Sequence, residues 1–109
     1  MFVLRVFVFL SLILSTTPSL ALTWRASWYQ QGHITASGAP FNPNHYTAAH
    51  KTLPFGTKVL VTYNGRSVTV LINDRGPFVH GRDVDLTRAA AQTIHCPGVC
   101  TVTVKILGK

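Results

Sequence analysis

Asn64-Gly65 stands between two runs of alternating apolar residues, and no other feature of this 109-residue chain restricts its fold as strongly. Lys58–Tyr63 places Val59 and Val61 on one face, and Ser67–Ile72 does the same with Val68, Val70 and Ile72. A period of two marks a half-buried strand. Asn-Gly between two such runs is the strongest short-range hairpin signal, because both turn residues must accept positive φ. Trp24–Gln30 reads as a further strand, with Ala26, Trp28 and Gln30 on one side. Thr47–His50 reads as a short buried strand, and Thr101–Leu107 as a last one with Val102, Val104 and Ile106 on one face. A short strand through Gly81–Leu86 leads into the single expected helix, Thr87–Ile94. Thr87 suits its N-cap, Asp85 its positive end, and the Ala run its interior. Short strands, one small helix and Gly-rich turns suggest a mainly β chain folded as a compact barrel.

The hairpin ends at Asp74, and there the chain concentrates its acidic chemistry. Ten Lys/Arg face three carboxylates, Asp74, Asp83 and Asp85, with no Glu anywhere. All three lie within twelve consecutive positions. Asp74 follows the apolar run Val68–Ile72 and precedes Arg75-Gly76-Pro77, which places a carboxylate where a strand stops and the backbone turns. Standing alone, such an Asp is most often a turn former paired with its Arg. Asp83 reads as exposed or paired with Arg82, and Asp85 as a helix-start residue.

Residues 1–21 carry one early charge, Arg5, an apolar core too short to span a bilayer comfortably, and Ser19 and Ala21 as small residues before a cut after Ala21. This is the pattern of a secretory signal peptide. Leu22 follows the expected cut and the first Cys is Cys96, so no lipid anchor is expected. Residues 22–109 then form one small domain. Cys96 and Cys100 flank a Pro97-Gly98 turn and are expected to form a disulfide in an oxidising compartment. The formal charge of +7 is compatible with attraction to anionic polymers or phospholipid, but no nucleic-acid motif is present. The five His have no metal-ligand spacing and the two Cys do not supplement them, so no metal is expected.

Gly32–Phe41 is a polar loop long enough to shape a binding surface. Beyond it, Thr47–His50 delivers a histidine at a strand end. Ala26-Ser27-Trp28-Tyr29, Thr35-Ala36-Ser37-Gly38, Thr47-Ala48-Ala49-His50, Leu53-Pro54-Phe55-Gly56-Thr57, Asn73-Asp74-Arg75-Gly76-Pro77-Phe78 and Gly81-Arg82-Asp83-Val84-Asp85-Leu86 with Ala89-Ala90-Ala91 together resemble the rare lipoprotein A (RlpA) family. They occur in the family's order and cover nearly all of the chain after residue 21. The resemblance implies a six-stranded double-psi β-barrel, related to the first domain of expansins. It also implies a lytic transglycosylase that cleaves peptidoglycan glycan strands, preferring those stripped of stem peptides. No cofactor is expected, and the chain is expected to act as a monomer. Asp74 matches the family's catalytic aspartate and His50 its neighbouring histidine. The family has Glu after Thr-Ala-Ser-Gly, where this chain has Ala39.

Around Asp74 and His50, the expected substrate-binding residues are Thr35, Ser37, Tyr46, Arg75, Phe78 and Asp83. Trp28, Tyr29, Tyr46 and Phe78 are aromatics able to stack on sugar faces, with Trp28 equally suited to the core. Cleavage without water needs a proton for the leaving oxygen, while the sugar's own 6-hydroxyl attacks C1, so one acid/base can serve. Asp74 is the expected acid, which requires burial, with Phe41 and Phe78 as candidate shielding. The second reading is an expansin-like module that grips glycan without cutting it. Export places either activity in the periplasm or outside the cell.

Overall fold

A computed structural model describes residues 22–32 and 34–109. The expected export signal at 1–21 lies outside the described residues. Six strands close into a barrel: β1 (Leu22–Tyr29), β2 (Thr47–His50), β3 (Lys58–Tyr63), β4 (Arg66–Asp74), β5 (Val84–Thr87) and β6 (Cys100–Gly108). Their spatial order is β1-β5-β2-β4-β3-β6. β1/β5 and β2/β4 pair parallel and the other four pairs are antiparallel. This is the mixed, closed sheet expected of a double-psi barrel. One helix, α1 (Arg88–Ile94), packs against β4, β5 and β1. Among the described residues no helix is long and apolar enough to cross a membrane.

The period-two patterns determine what fills the barrel. Val59, Val61, Val70, Ile72, Val84 and Leu86 are all fully buried. Ala26 and Ala48 are also inside, and their small side chains leave room for the valines and leucine across the barrel. The hairpin turn takes the form its residues permit, with φ of 48° at Asn64 and 80° at Gly65. The Cys96–Cys100 disulfide forms and follows the helix, bridging Cα atoms 5.8 Å apart. All six strands, the helix and the disulfide lie within 22–109, so this segment has a complete core of its own.

Two local expectations, for Thr87 and Asp85, are corrected, and the inner face of β6 runs past the core. Ile106 does not join Val102 and Val104 in the core but is 42% exposed, because it lies past the end of the packed interior opposite a register shift in β3. Thr87 occupies the N-cap position without capping. Its Oγ1 instead donates to His45 O (2.6 Å) and accepts from Thr47 N (3.4 Å), tying β5 to the start of β2. Asp85 lies one residue inside β5, paired with Ser27 and Ala49, and the helix has no acid in its first turn.

Leu86→Ala removes a fully buried side chain held between Ala48 and Trp28, and is expected to cost about 3 kcal/mol of unfolding free energy. Opening the short disulfide ring with Cys96→Ser and Cys100→Ser is expected to cost less, about 2 kcal/mol. Urea denaturation of both variants checks the order.

Candidate active site

The site begins with one surplus residue. β2 and β4 run parallel with Ala48 opposite Ile72, but Ala49 is opposite Asp74, so Asn73 is skipped in the ladder. Without that bulge, strict alternation would send Asp74 inward behind Val68, Val70 and Ile72. The extra residue turns Asp74 to the outer face, a familiar use of bulges beside functional sites. Ala49 also pairs with Asp85 of β5, and Asp85 with Ser27 of β1. Ser27, Asp85, Ala49 and Asp74 thus form one row across four strands, with the two carboxylates two strand spacings apart, roughly 10 Å at the backbone. Ala49, only 3% exposed, forms the floor between them.

The two carboxyls have opposite surroundings. Asp74 accepts three hydrogen bonds: at Oδ1 from Ala36 N and Arg75 N, both 2.9 Å, and at Oδ2 from the Tyr29 hydroxyl at 3.2 Å. Among the described residues Asp85 accepts only from the Ser27 hydroxyl, 3.0 Å from Oδ1. Burial pushes the Asp85 carboxyl above the usual carboxylate range, and the charge of Asp74 adds to this. The Ser27 hydrogen bond and the Arg82 guanidinium oppose it. Tyr29 is stacked on Phe41 with ring centroids 4.8 Å apart. Burial, followed by the charge of Asp74, raises the pKa of its phenol, which therefore keeps its proton and remains a donor.

The polar loop closes over this row. Thr35 is buried, its N–H and Oγ1 both donating to Ala39 O, and its Oγ1 lies 2.9 Å from Ser37 Oγ. Ser37 N donates to Asn73 O, so the turn is fixed to the bulge and Ala36 N is aimed at Asp74. Thr35 and Ser37 therefore act as loop builders beside the site.

His50 lies one position beyond Ala49, at the barrel rim. Its ring stacks on Trp24 with centroids 4.8 Å apart. Nδ1 accepts from Thr52 N (3.1 Å) and Leu53 N (3.0 Å), which places the ring proton on Nε2. Burial lowers its pKa, Lys51 and Arg75 lower it further, and Asp83 opposes them. At neutral pH His50 is thus an uncharged donor, and no described residue joins it to Asp74 by a hydrogen bond.

Arg75 does not pair with the neighbouring Asp74 side chain. Its NH1 donates to His50 O (3.2 Å) and Leu53 O (2.9 Å), and the guanidinium lies 4.0 Å over the Phe55 ring. Asp83 Oδ2 accepts from Arg25 N at 2.9 Å, not from Arg82, and extends the β1/β5 seam. Phe78 is 82% exposed and provides no shielding to Asp74. Tyr46 is half-exposed at the far end of β2, three residues from Ala49 and so roughly 10 Å along the strand. The structure therefore gathers Asp74, Asp85, Ser27 and Tyr29, sets His50, Arg75 and Asp83 along one rim, and leaves Tyr46 apart.

Asp85 and Ser27 escaped the sequence reading. The parity of Val84-Asp85-Leu86 already pointed Asp85 outward, but its partner strand was needed to show where.

The description "Lytic transglycolase" belongs to the family model that matches residues 22–106. The endolytic peptidoglycan transglycosylase RlpA of Pasteurella multocida is 60% identical over 74 residues, covering 63% of this chain and 25% of that protein. The protein of the same name from Vibrio cholerae is 46% identical over 87 residues, covering 75% and 33%. The chain thus spans about a third or less of these relatives. Among solved structures, Streptomyces papain inhibitor superposes with TM-score 0.67 at 25% identity, over 80% of this chain and 94% of that one. An expansin of Clavibacter michiganensis superposes with TM-score 0.67 at 18% identity, over 81% and 50%.

Asp85 binds its proton more tightly in the folded chain than unfolded. Its stabilising protonation is complete below its unfolded pKa of about 3.9 and is lost as pH rises through the folded value. Asp85→Asn is therefore expected to raise Tm at pH 7, with the gain shrinking as pH falls towards 4. Ser27→Ala is expected to move Asp85 titration further up, followed by carboxyl-carbon NMR.

Proposed function

The chain belongs to the lytic transglycolase family of double-psi β-barrels, and from this premise we propose that it is an endolytic peptidoglycan transglycosylase. Its substrate is a glycan strand poor in stem peptides, cut between N-acetylmuramic acid and N-acetylglucosamine to leave a 1,6-anhydro end. The chain acts after export, in the periplasm or outside the cell, as a monomer and without a cofactor.

The observation that carries this reading is the unlike pair of carboxyls either side of Ala49. Asp85, half-buried and with a raised pKa, is suited to hold a proton. Asp74, with three donors on its oxygens, is fixed in place facing the same side of the row. In the proposed reaction Asp85 donates its proton to the bridging oxygen as the C1–O bond breaks. Positive charge develops at C1, and the Asp74 carboxylate stabilises it. The 6-hydroxyl of the same N-acetylmuramic acid then attacks C1 and its proton passes to Asp74, so no water is consumed. Exchange with solvent restores both groups. The catalytic acid proposed here is thus Asp85, while Asp74 retains a catalytic place as the base. Nε2–H of neutral His50 is a hydrogen-bond donor for a sugar oxygen at the rim, and exposed Phe78 offers a face for stacking.

Incubation with peptide-free glycan strands, followed by mass spectrometry, is expected to yield 1,6-anhydro ends with no oxygen taken up from isotopically labelled water. Asp85→Asn and Asp74→Asn are each expected to fold and to lose at least about 100-fold in turnover. Full turnover by Asp85→Asn removes it from the mechanism. Glycan binding by the wild type with no new ends favours the expansin-like reading.

A further inference from the structure

The side of the barrel away from the groove has a different chemistry. β3 and β6 lie opposite β5 and β2 in the closed order, and none of the three carboxylates lies on either strand. On the outward face, Lys58 pairs with Leu71 of β4, and Leu60 pairs with Lys105 of β6. Leu107 is the residue skipped where Lys58 pairs with Gly108 and Val59 with Ile106, and it is 49% exposed. Lys109 reaches over the turn before β3, its Cε 4.0 Å from the position a β-carbon on Gly56 would take. Lys58 and Leu60 of β3, Lys105 and Leu107 of β6 and Leu71 of β4 thus lie together on three adjacent strands about 4.8 Å apart. Lys58, Lys105 and Lys109 are exposed, as is Leu71, and Leu60 is partly so.

We infer that this face docks onto a bilayer surface rich in anionic phospholipid. Lysine alone would suit any polyanion. A soluble polyphosphate or acidic polysaccharide, however, leaves Leu60, Leu71 and Leu107 in water, whereas the boundary between headgroups and acyl chains takes up both residue types. A second copy is opposed by charge, because two such faces bring lysine against lysine. Docking in this way leaves β5 and β2, opposite β3 and β6 in the closed order, on the side away from the lipid. The inference does not depend on the catalytic reading, since lipid binding and glycan cleavage are measured separately.

The test is co-sedimentation of residues 22–109 with vesicles of equal parts phosphatidylglycerol and phosphatidylcholine, against phosphatidylcholine alone, at low and high salt. Binding is expected only to the anionic vesicles, weakening with salt. It should fall roughly fivefold for each of Lys58→Ser and Lys105→Ser, and also fall for Leu71→Ser and Leu107→Ser. Arg88→Gln, on the groove side, should leave it unchanged. Circular dichroism confirms that each variant folds. Equal binding to neutral vesicles, or binding to neither kind, overturns the inference. Full binding by the leucine variants while the lysine variants fail assigns the face to a soluble polyanion and also overturns it. A dimer in sedimentation equilibrium that these substitutions dissociate does the same.

Discussion

The row of Asp74 and Asp85 depends on Asn73 being one residue too many in the β2/β4 ladder. A strand that alternates strictly from Val68 to Ile72 would bury the next even-spaced side chain, and here that side chain is a carboxylate. The bulge resolves the conflict between pattern and chemistry by stepping Asp74 to the outer face. It has a visible cost. Asn73 Oδ1 is buried without a hydrogen-bond partner among the described residues, a defect of about 1–3 kcal/mol. Part of the return is the Asn73 carbonyl, which accepts Ser37 N and so anchors the loop whose Ala36 N–H meets Asp74. One irregularity thus aims the carboxylate and also places one of its donors.

Once Asp74 is on that face, the remaining electrostatics follow from burial. Two acids in one row with Ala49 between them cannot have equal environments when one collects three donors and the other has one. Charge on Asp74 makes ionisation of Asp85 harder, as it does for Tyr29. The phenol consequently stays a donor to Asp74, which in turn keeps that carboxylate an acceptor. His50 is held uncharged first by burial and then by Lys51 and Arg75, against Asp83, while two backbone N–H groups occupy Nδ1. The acid-poor composition then acquires a physical meaning: with no Glu, Asp83 is the one carboxylate side chain outside this row.

Much of this was legible from the chain alone because it is local. The hairpin at Asn64-Gly65, the strand ending in Asp74, the short strand delivering His50 and the Cys96–Cys100 pair each depend on residues a few positions apart. The missed features depend on pairing across the sequence. Asp85 was read as a helix-start residue because Thr87 and the Ala run follow it, and local propensity could not reveal that Ser27, 58 positions earlier, would bond it. Thr87 looked like a cap for the same reason, yet its hydroxyl is taken by His45 and Thr47. Arg75 was expected to answer Asp74 because they are neighbours. Successive side chains in an extended segment diverge, so the guanidinium instead found carbonyls at His50 and Leu53. Ile106 kept the period of its strand but overran the core.

Position 39 contributes its backbone, and not its side chain, to the turn beside the site. The turn that carries Ala36 to Asp74 is closed by Thr35, whose N–H and hydroxyl both bond the Ala39 carbonyl. Backbone oxygen 39 therefore builds the turn, and side chain 39 takes no part in holding it. A methyl group at this position therefore leaves the loop's hydrogen bonds intact. In the proposed chemistry donor and acceptor duties are divided between Asp85 and Asp74. The proposed chemistry needs only that Asp85 stay dry and that Asp74 stay turned outward, and both conditions are set by β5, the bulge and Ala49, none of which involves residue 39.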